Sequence, residues 1–372
     1  MTTPLLFTPL TLRGLTLKNR IVVSPMCQYL AVDGHVQDWH HQHHARFALA
    51  GYGLAFVEAT GVTRDGRITH GCTGIWEDAQ IDGLRRIVDG YKAHGVATAI
   101  QIGHSGRRGS CARPWDGAAP ITAESDEPAW QTVGPSALPE RDGYPVPHEL
   151  TEAEINDLVD AFVAATERCL AAGFDVVEIH GAHGYLIHSF FSPVSNQRTD
   201  RFGGDLNGRM RLPLTVAEAV RAAWPEDRPL FYRASSVDNV PGGLPIEDTV
   251  ALAAELKTKG VDVVDCSSGG MGGPATLATT KLKQGYQVPY ADAVRQGADI
   301  ATMAVGLIME PEYAEAILQE GRADLVSLAR ETMADPNWPY HAACALGLPR
   351  PYDVLPPYYA FYLERRAAVL ED

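Results

Sequence analysis

The chain has 372 residues, of which 45% are hydrophobic and 21% are charged, and its formal net charge is −15. This composition is typical of a soluble globular protein. A strongly acidic chain is unsuited to nucleic acid, whose phosphates require a basic surface, so we expect no nucleic-acid partner.

The N-terminal residues 1–14 lack the basic region and long apolar run of a signal peptide. No apolar run reaches the roughly 18 residues that a membrane-spanning helix needs. The six cysteines show no C-x-x-C pair and no regular spacing, which predicts reduced thiols. We therefore expect a cytoplasmic protein that does not bind membranes.

Eight short runs rich in Val and Ile predict eight strands. Their apolar residues are nearly continuous, as in strands that are covered on both faces. The runs lie at 20–26, 54–60, 97–104, 175–181, 229–235, 261–269, 300–306 and 325–331. Amphipathic helices are predicted between them. The helix at 151–173 has a Thr N-cap, a Glu three residues later and a Gly at its end, and 245–260 and 311–321 have a similar pattern.

Strands that alternate with helices predict an α/β fold, specifically a (β/α)₈ TIM barrel, with a doubly wound sheet as the alternative. No composition shift marks a boundary, so one domain over 1–372 is expected. A long insertion follows the third strand, where 110–150 is rich in Pro, Gly and Asp. Loops of this length are usually functional. The aromatic and basic tail 350–372 is predicted to pack on the barrel or on a neighbouring subunit.

The segment "EIHGAHGY" ends the fourth predicted strand with His180, His183 and Tyr185. The strand ends carry many hydrogen-bond donors and few carboxylates, because Glu58 and Glu178 lie in mid-strand. This disfavours a glycosidase with two carboxylates. It also disfavours zinc, because no clear third ligand accompanies the two histidines. Four more histidines, in "HHQHH" at 40–44, lie on a predicted helix, and we do not assign them a metal.

The ends of the last two predicted strands, "AVG" and "LARE", are each followed by a predicted helix. Barrel enzymes commonly bind a phosphate at this position. The guanidinium group of Arg330 would bind the phosphate through two hydrogen bonds, and backbone amides would supply further donors.

Several stretches resemble the Old Yellow Enzyme family of NADH:flavin oxidoreductases. "LFTPLTLRGLTLKNRIVVSPMCQY" is similar to the family's N-terminal hairpin and first strand, and "EIHGAHGYLIHSFFSPVSNQRTDRFGGDLNGRMR" is its most specific stretch. "GRITHGCTGIW" and "ADLVSLARETMADPNWPY" resemble the bacterial branch that has an active-site cysteine, and the xenobiotic reductases in particular. The resemblance covers nearly the whole chain.

This resemblance implies noncovalent FMN, with NADPH or NADH as the reductant. Hydride would pass through flavin N5 to the β-carbon of an α,β-unsaturated carbonyl or nitro compound. Ser24, Pro25, Met26 and Cys27 would line the isoalloxazine. Ala59, Gln101 and Arg233 would meet its pyrimidine edge, with Arg233 near N1, where the reduced flavin is negative. The phosphate would be held by Gly306, Ala329 and Arg330.

The resemblance also assigns the strand-end residues. His180 and His183 would bind the substrate oxygen, Tyr185 would donate the proton to the α-carbon, and Tyr29 would reach the substrate. A small-molecule substrate and a dimer or tetramer are expected, with the tail near a neighbouring subunit's site. Tyr362 stands where related reductases often have a tryptophan, and Val305 stands where some have an aromatic residue, which leaves the substrate range open.

Some alternatives remain open on the residues alone. Cys27 could be a small buried hydrophobe, or it could tune the flavin or contact the substrate. Tyr185 could serve only in packing. At the level of the whole protein, the alternatives are a flavin-binding redox sensor that acts through Cys27 and a metal-dependent barrel hydrolase that uses His180 and His183.

Overall fold

The computed structural model describes residues 3–272 and 282–370. Eight parallel strands close into a barrel, which confirms the predicted fold. An N-terminal antiparallel hairpin, also as predicted, precedes them. The strands in chain order are β1 (Leu10–Leu12), β2 (Leu15–Leu17), β3 (Ile21–Val23), β4 (Leu54–Gly61), β5 (Ala97–Gly103), β6 (Val133–Gly134), β7 (His148–Glu149), β8 (Val176–Gly181), β9 (Leu230–Ser235), β10 (Val263–Ser267), β11 (Ala301–Ala304) and β12 (Leu325–Leu328).

Helices surround the barrel and cover the outer faces of its strands. The predicted helix at 151–173 is observed, with a Thr151 side chain that accepts from Glu154 N–H and a left-handed Gly173 at its end. The α-helices in chain order are α1 (Asp38–Ala48), α2 (Ile81–Lys92), α3 (Glu152–Ala172), α4 (Leu186–Phe191), α5 (Leu206–Ala223), α6 (Ile246–Thr258), α7 (Val288–Ala298), α8 (Pro311–Gln319), α9 (Arg330–Ala334), α10 (Trp338–Ala345) and α11 (Pro357–Ala368).

The interior of the barrel is built in layers, because side chains on a strand alternate between its two faces. The lowest inner layer is apolar and packs against the hairpin, which closes this end of the barrel. The layer comprises Val22, Leu54, Phe56, Ala99, Val176, Phe231, Val263, Met303 and Leu325.

The next inward-facing positions, two residues further along each strand, are mostly polar and buried. They include Ser24, Glu58, Gln101, Glu178, Arg233, Asp265 and Ser327. The change from an apolar to a polar layer of inward-facing side chains marks the upper limit of the hydrophobic core. The polar layer forms the floor of a candidate site. This floor faces the carboxyl ends of the strands, where barrel enzymes place their chemistry.

The insertion predicted after the third barrel strand lies between β5 and α3. It contains the paired strands β6 and β7 and two short 3-10 helices, Gly106–Arg108 and Pro114–Asp116.

In the ranges 3–272 and 282–370, no helix is long and apolar enough to cross a bilayer.

Candidate active site

Three aromatic rings meet where β8 ends. The ring centroid of His180 lies 5.1 Å from that of His183 and 4.8 Å from that of Tyr185, and the pairs meet edge to face. Gly103 on β5 leaves room for this arrangement, since a Cβ there would lie 2.9 Å from the Cβ of His180. The sequence motif therefore forms a compact cluster above the polar floor.

Hydrogen bonds determine which nitrogen of each histidine is available. The Nδ1 of His180 accepts from Ala182 N–H at 3.2 Å, so the proton of the neutral ring is on Nε2. The Nε2 of His183 lies 2.7 Å from the hydroxyl oxygen of Ser267. The His180 Nε2 and the His183 Nδ1 have no hydrogen-bond partner in the described part of the chain. Each histidine thus keeps one nitrogen for a ligand.

Burial keeps this cluster uncharged. It lowers the pKa of His180 and of His183 well below the usual value, and the cation of Arg233 acts in the same direction. Burial also raises the pKa of Tyr185, and the nearby Cys27 adds to the effect. At neutral pH the site therefore presents two neutral imidazoles and a protonated phenol, which are all potential hydrogen-bond donors.

A buried pair formed by His188 on α4 and Asp238 supports the loop that carries His183 and Tyr185. The Nδ1 of His188 accepts from Gly184 N–H at 2.8 Å, and its Nε2 lies 2.9 Å from the Oδ1 of Asp238. The other carboxylate oxygen of Asp238 accepts from the Ser192 hydroxyl at 2.7 Å. The position of the loop is thus set by hydrogen bonds as well as by packing.

Arg108, from the start of the insertion, joins three loops of the site. Its guanidinium donates to the carbonyl oxygens of His183 (2.6 Å) and Gly270 (2.7 Å). It also forms an ion pair with Glu140 at 3.3 Å and lies 5.9 Å from the ring centroid of Tyr185. The insertion is therefore part of the wall of the site.

The segment after β3 supplies another wall. Ser24 is buried at the end of the strand, whereas Pro25, Met26, Cys27 and Tyr29 are half-buried. Burial raises the pKa of the Cys27 thiol well above its usual value, and the charge of Glu58 acts in the same direction. Cys27 is thus a thiol at neutral pH, which makes it a weak nucleophile.

Glu58 lies in the polar floor near this segment. Its Oε1 is 3.3 Å from the Nε2 of His40, and its Oε2 accepts the backbone N–H of Gln28. Next to Glu58, the register between β4 and β5 shifts by one residue, which is a β-bulge at the position of Ala59.

The remaining floor residues fit the pyrimidine edge of a flavin, which carries one N–H between two carbonyl groups. Gln101 uses its Nε2 to donate to Glu178, and its Oε1 has no partner among the described residues. The Arg233 Nη1 lies 3.3 Å from Ser24 Oγ and 3.2 Å from Asp265 Oδ2, while its buried Nε has no hydrogen-bond partner in the part of the chain that the structure describes. One free acceptor and one cationic donor group are thus available in the same polar layer, on strands separated by β8.

The predicted phosphate-binding residues follow β11 and β12. Gly306 has a φ of +125°, a conformation that favours glycine, and its carbonyl accepts from Gly285 N–H. Ala329 is half-buried before α9, and Arg330 is exposed. The exposed cation of Arg330 makes no ion pair within the described ranges. It is thus available for an anionic ligand.

Two cavities adjoin the ring cluster, and Tyr185 lines both. The smaller one also touches Ala59 and His180. The larger one has a volume of about 330 Å³ and is lined by Tyr29, Arg108 and His183 among others. The volume is sufficient for a small organic substrate.

The other candidate features lie outside these cavities. The histidines of "HHQHH" lie on the predicted helix, α1, where His44 Nδ1 is 2.8 Å from the Tyr91 hydroxyl. Among the described residues, no group of three or more His, Cys, Asp or Glu side chains could hold a metal ion. Val305 is buried after β11, whereas Tyr362 on α11 is 71% exposed.

Sequence reasoning did not identify Arg108, His188, Asp238, Asp265 or Ser267 as parts of the site. For His188 a signal was present, because it follows Tyr185 by three residues and so lies one turn along a helix. The partners of these residues are distant in the chain, and Asp238 follows His188 by 50 positions. Local sequence patterns cannot reveal such pairs.

The chain resembles proteins that are already known over most of its length. A family profile described as NADH:flavin oxidoreductase / NADH oxidase matches residues 5–348. An NADPH dehydrogenase of Geobacillus sp. (strain WCH70) is 44% identical over 345 residues, covering 92% of this chain and 95% of that protein. Among solved structures, morphinone reductase has a TM-score of 0.77 at 26% identity, covering 92% of this chain and 90% of its own. An old yellow enzyme homologue from Zymomonas mobilis has a TM-score of 0.74 at 27% identity, covering 90% and 91%.

Proposed function

Because this chain belongs to the NADH:flavin oxidoreductase / NADH oxidase family, we propose that it is an ene-reductase that uses NADPH or NADH to reduce an activated alkene. It is an oxidoreductase, and its cofactor is FMN. When bound, FMN accepts a hydride from the nicotinamide and passes it from N5 to the substrate. The substrate would be an α,β-unsaturated carbonyl or nitro compound.

The observation that carries this proposal is the pair of free nitrogens on His180 and His183. Both rings are neutral, His180 is buried and His183 is half-buried, and each lines one of the two cavities that Tyr185 also lines. Two neutral donors that converge on one oxygen would polarise a carbonyl or nitro group as hydride arrives at the β-carbon. Because the donors are already in place and shielded from water, little reorganisation is needed when charge develops on that oxygen.

Tyr185 is suited to provide the proton. Its phenol is protonated at neutral pH, since burial raises its pKa, and it lies beside His180. The cation of Arg108 near the ring would stabilise the phenolate that remains after the proton has left for the α-carbon. Tyr29, which lines the same cavity, would contact the substrate.

The residues proposed to hold FMN form a continuous surface. Ser24, Pro25, Met26 and Cys27 would lie along the isoalloxazine, and Ala59, Gln101 and Arg233 at its pyrimidine edge. The phosphate would be bound by Gly306, Ala329 and Arg330. Support comes from the free acceptor of Gln101 and the cation of Arg233, which lie in the same polar floor.

We further propose that residues 1–372 form one flavin-binding domain and that the protein assembles as a dimer or tetramer. The tail 350–372 ends in α11, whose aromatic residues Tyr358, Tyr359, Phe361 and Tyr362 are between 47% and 71% exposed. Aromatic groups in this number are typical of a contact with another subunit. Light scattering of the full chain and of a chain ending at residue 349 would test this. Loss of the tail should reduce the number of subunits in the assembly.

Turnover tests the proposed function directly. The purified protein should bind FMN, NADPH should reduce the flavin under anaerobic conditions, and cyclohexenone should reoxidise it with formation of cyclohexanone. Flavin that is reduced by NADPH but not reoxidised by any enone or nitroalkene would instead favour the redox sensor. Protein without flavin absorbance, even after incubation with FMN, would contradict both.

A further inference from the structure

Three ionisable side chains meet in the polar floor, on three neighbouring strands. Glu178 on β8 and Asp265 on β10 are fully buried, and the Arg233 side chain on β9 is 8% exposed. Two residues before each of them lie Val176, Phe231 and Val263, which belong to the apolar layer. Water is therefore excluded from below, and any cofactor bound above would cover the cluster from the other side.

The contacts within this cluster are unequal. Asp265 Oδ2 lies 3.2 Å from Arg233 Nη1, and Arg233 is the one ion-pair partner of Asp265 within the described ranges. Glu178 has no ion pair there: its Oε1 accepts from Gln101 Nε2 at 2.8 Å, and its Oε2 has no hydrogen-bond partner. The cluster thus contains two carboxyl groups for one cation.

Two ionised carboxyl groups would leave one buried negative charge without compensation, which is costly in a site without water. A proton on one of them removes this cost, as in other pairs of buried acids. Burial raises the pKa of Asp265 as well, but Arg233 at 3.2 Å acts in the opposite direction and favours its anion. The hydrogen-bond partner of Glu178 among the described residues is the neutral amide of Gln101. Burial, and after it the charge of Asp265, raise the pKa of Glu178 well above its usual value, although the cation of Arg233 acts in the opposite direction.

We infer that Glu178 carries a proton in the folded protein, and that the ionised Asp265 partly offsets the positive field of Arg233 and thereby sets the reduction potential of the bound flavin. The second half of this inference rests on the proposed placement of Arg233 at the pyrimidine edge. Reduced flavin carries negative charge at the pyrimidine edge. When Asp265 offsets part of the positive field of Arg233, the reduced flavin is stabilised less. The cluster would then hold the potential lower than Arg233 alone would.

Asp265→Asn tests the charge, because the amide keeps an oxygen for Arg233 but removes the negative charge. The ratio of reduced-flavin to oxidised-flavin affinity should rise about tenfold, which for a two-electron couple moves the midpoint potential about 30 mV in the positive direction. Glu178→Gln is the matched control. It replaces one neutral group by another and should leave the potential at the parent value.

Infrared spectroscopy tests the proton separately. The carbonyl stretch of a protonated carboxylic acid should be present in the parent and absent in Glu178→Gln. An unshifted potential in folded Asp265→Asn, a positive shift in Glu178→Gln, or a band that survives in Glu178→Gln would overturn the inference. If Asp265→Asn does not fold, Glu178→Gln still tests the inference. Loss of the infrared band with an unshifted potential supports it, and a surviving band or a positive shift overturns it.

Arg233→Gln separates this inference from the proposed function. If it alters neither FMN affinity nor the potential, the placement of Arg233 is wrong, and with it the role of Asp265 in setting the potential. The infrared band still decides whether Glu178 is protonated. If Arg233→Gln lowers the potential while Asp265→Asn leaves it unshifted, the placement is supported and the inference about Asp265 is overturned.

Discussion

The Nε2 of His188 lies 2.9 Å from the Oδ1 of Asp238, and neither side chain is exposed to solvent. Because the His188 Nδ1 accepts from Gly184 N–H, the proton of the neutral ring is on Nε2, the nitrogen that faces Asp238. Burial by itself would raise the pKa of Asp238, but the close contact with His188, together with the Ser192 hydroxyl and the backbone N–H of Leu244, holds it below the usual value. This pair therefore ties the loop of His183 and Tyr185 to the start of the β9–α6 connection.

Asp238→Asn should destabilise the protein, because the new amide cannot accept with both of its terminal atoms and leaves a buried donor unpaired. We expect a loss of about 1–3 kcal/mol in the free energy of unfolding, measured in urea at neutral pH. The difference should shrink as the pH falls through the pKa of Asp238, since the parent then loses the same charge. Asp299→Asn, at a fully exposed position, should leave the unfolding curve nearly unchanged. Equal curves for Asp238→Asn and the parent would contradict the role of the pair.

Much of the fold is predictable from the sequence because barrel strands and their covering helices have strong local patterns. Runs such as 97–104 are apolar on both faces and coincide with observed strands such as Ala97–Gly103. The helix at Glu152–Ala172 has its boundaries in its own sequence, with Thr151 at one end and Gly173 at the other. These signals are local, so a single sequence is sufficient.

The supporting contacts of the site are less predictable because they join distant parts of the chain. Arg108 bonds to the carbonyl oxygens of His183 and Gly270, and backbone acceptors leave no signature in side-chain identity. The bulge beside Ala59 depends on the register of two strands, which neither strand encodes alone. The layer of polar residues could have been found, since Glu178, Arg233 and Asp265 each follow an inward apolar residue by two positions.

Arg330→Ala should weaken FMN binding if Arg330 holds the phosphate. A charge-assisted hydrogen bond contributes about 1.5–3 kcal/mol, so the Kd should rise by roughly tenfold to a few hundredfold. Flavin fluorescence during titration of apoprotein with FMN measures this. Arg86→Ala, an exposed arginine on α2, provides the control and should keep the parent Kd. Equal Kd values for Arg330→Ala and Arg86→Ala would exclude Arg330 from the phosphate site.

Cys27 should react slowly with alkylating agents at neutral pH. Burial, together with the charge of Glu58, raises the pKa of its thiol, so little thiolate is present. Cys344 is exposed and serves as an internal reference. Mass spectrometry after timed treatment of the holoprotein with iodoacetamide should show Cys344 labelled at least about tenfold faster. Faster labelling of Cys27 would point to a reactive thiol and favour the sensor alternative.

His43 should make the protein less stable as the pH falls below about 6.5. Burial, with the charges of Arg46 and His40, lowers its pKa to about 4. Between these values the unfolded chain takes up a proton that the folded protein does not, so acid favours unfolding. For His43→Gln, the loss of unfolding free energy between pH 7 and pH 5 should be about 2 kcal/mol smaller than for the parent. Equal losses in urea titrations at the two pH values would mean that His43 titrates normally in the fold.

Tyr185→Phe should separate proton delivery from hydride transfer. Reduction of the flavin by NADPH requires no proton from Tyr185, so its rate should stay close to that of the parent. Reoxidation by cyclohexenone should slow by about 10²–10⁴-fold, the range typical of general-acid catalysis. Stopped-flow absorbance of the flavin records the two half-reactions separately. Tyr340→Phe on α10 is the matched control and should alter neither.

A nitroalkene sharpens this test, because its nitronate product is stable and hydride transfer can proceed without the acid. Tyr185→Phe should therefore reduce a nitroalkene at nearly the parent rate while it remains slow with cyclohexenone. His180→Ala and His183→Ala should behave differently and weaken the binding of phenols over the flavin, because a phenolate uses the same two donors as the substrate oxygen. If Tyr185→Phe slows flavin reduction as much as enone reduction, Tyr185 positions ligands and does not deliver the proton.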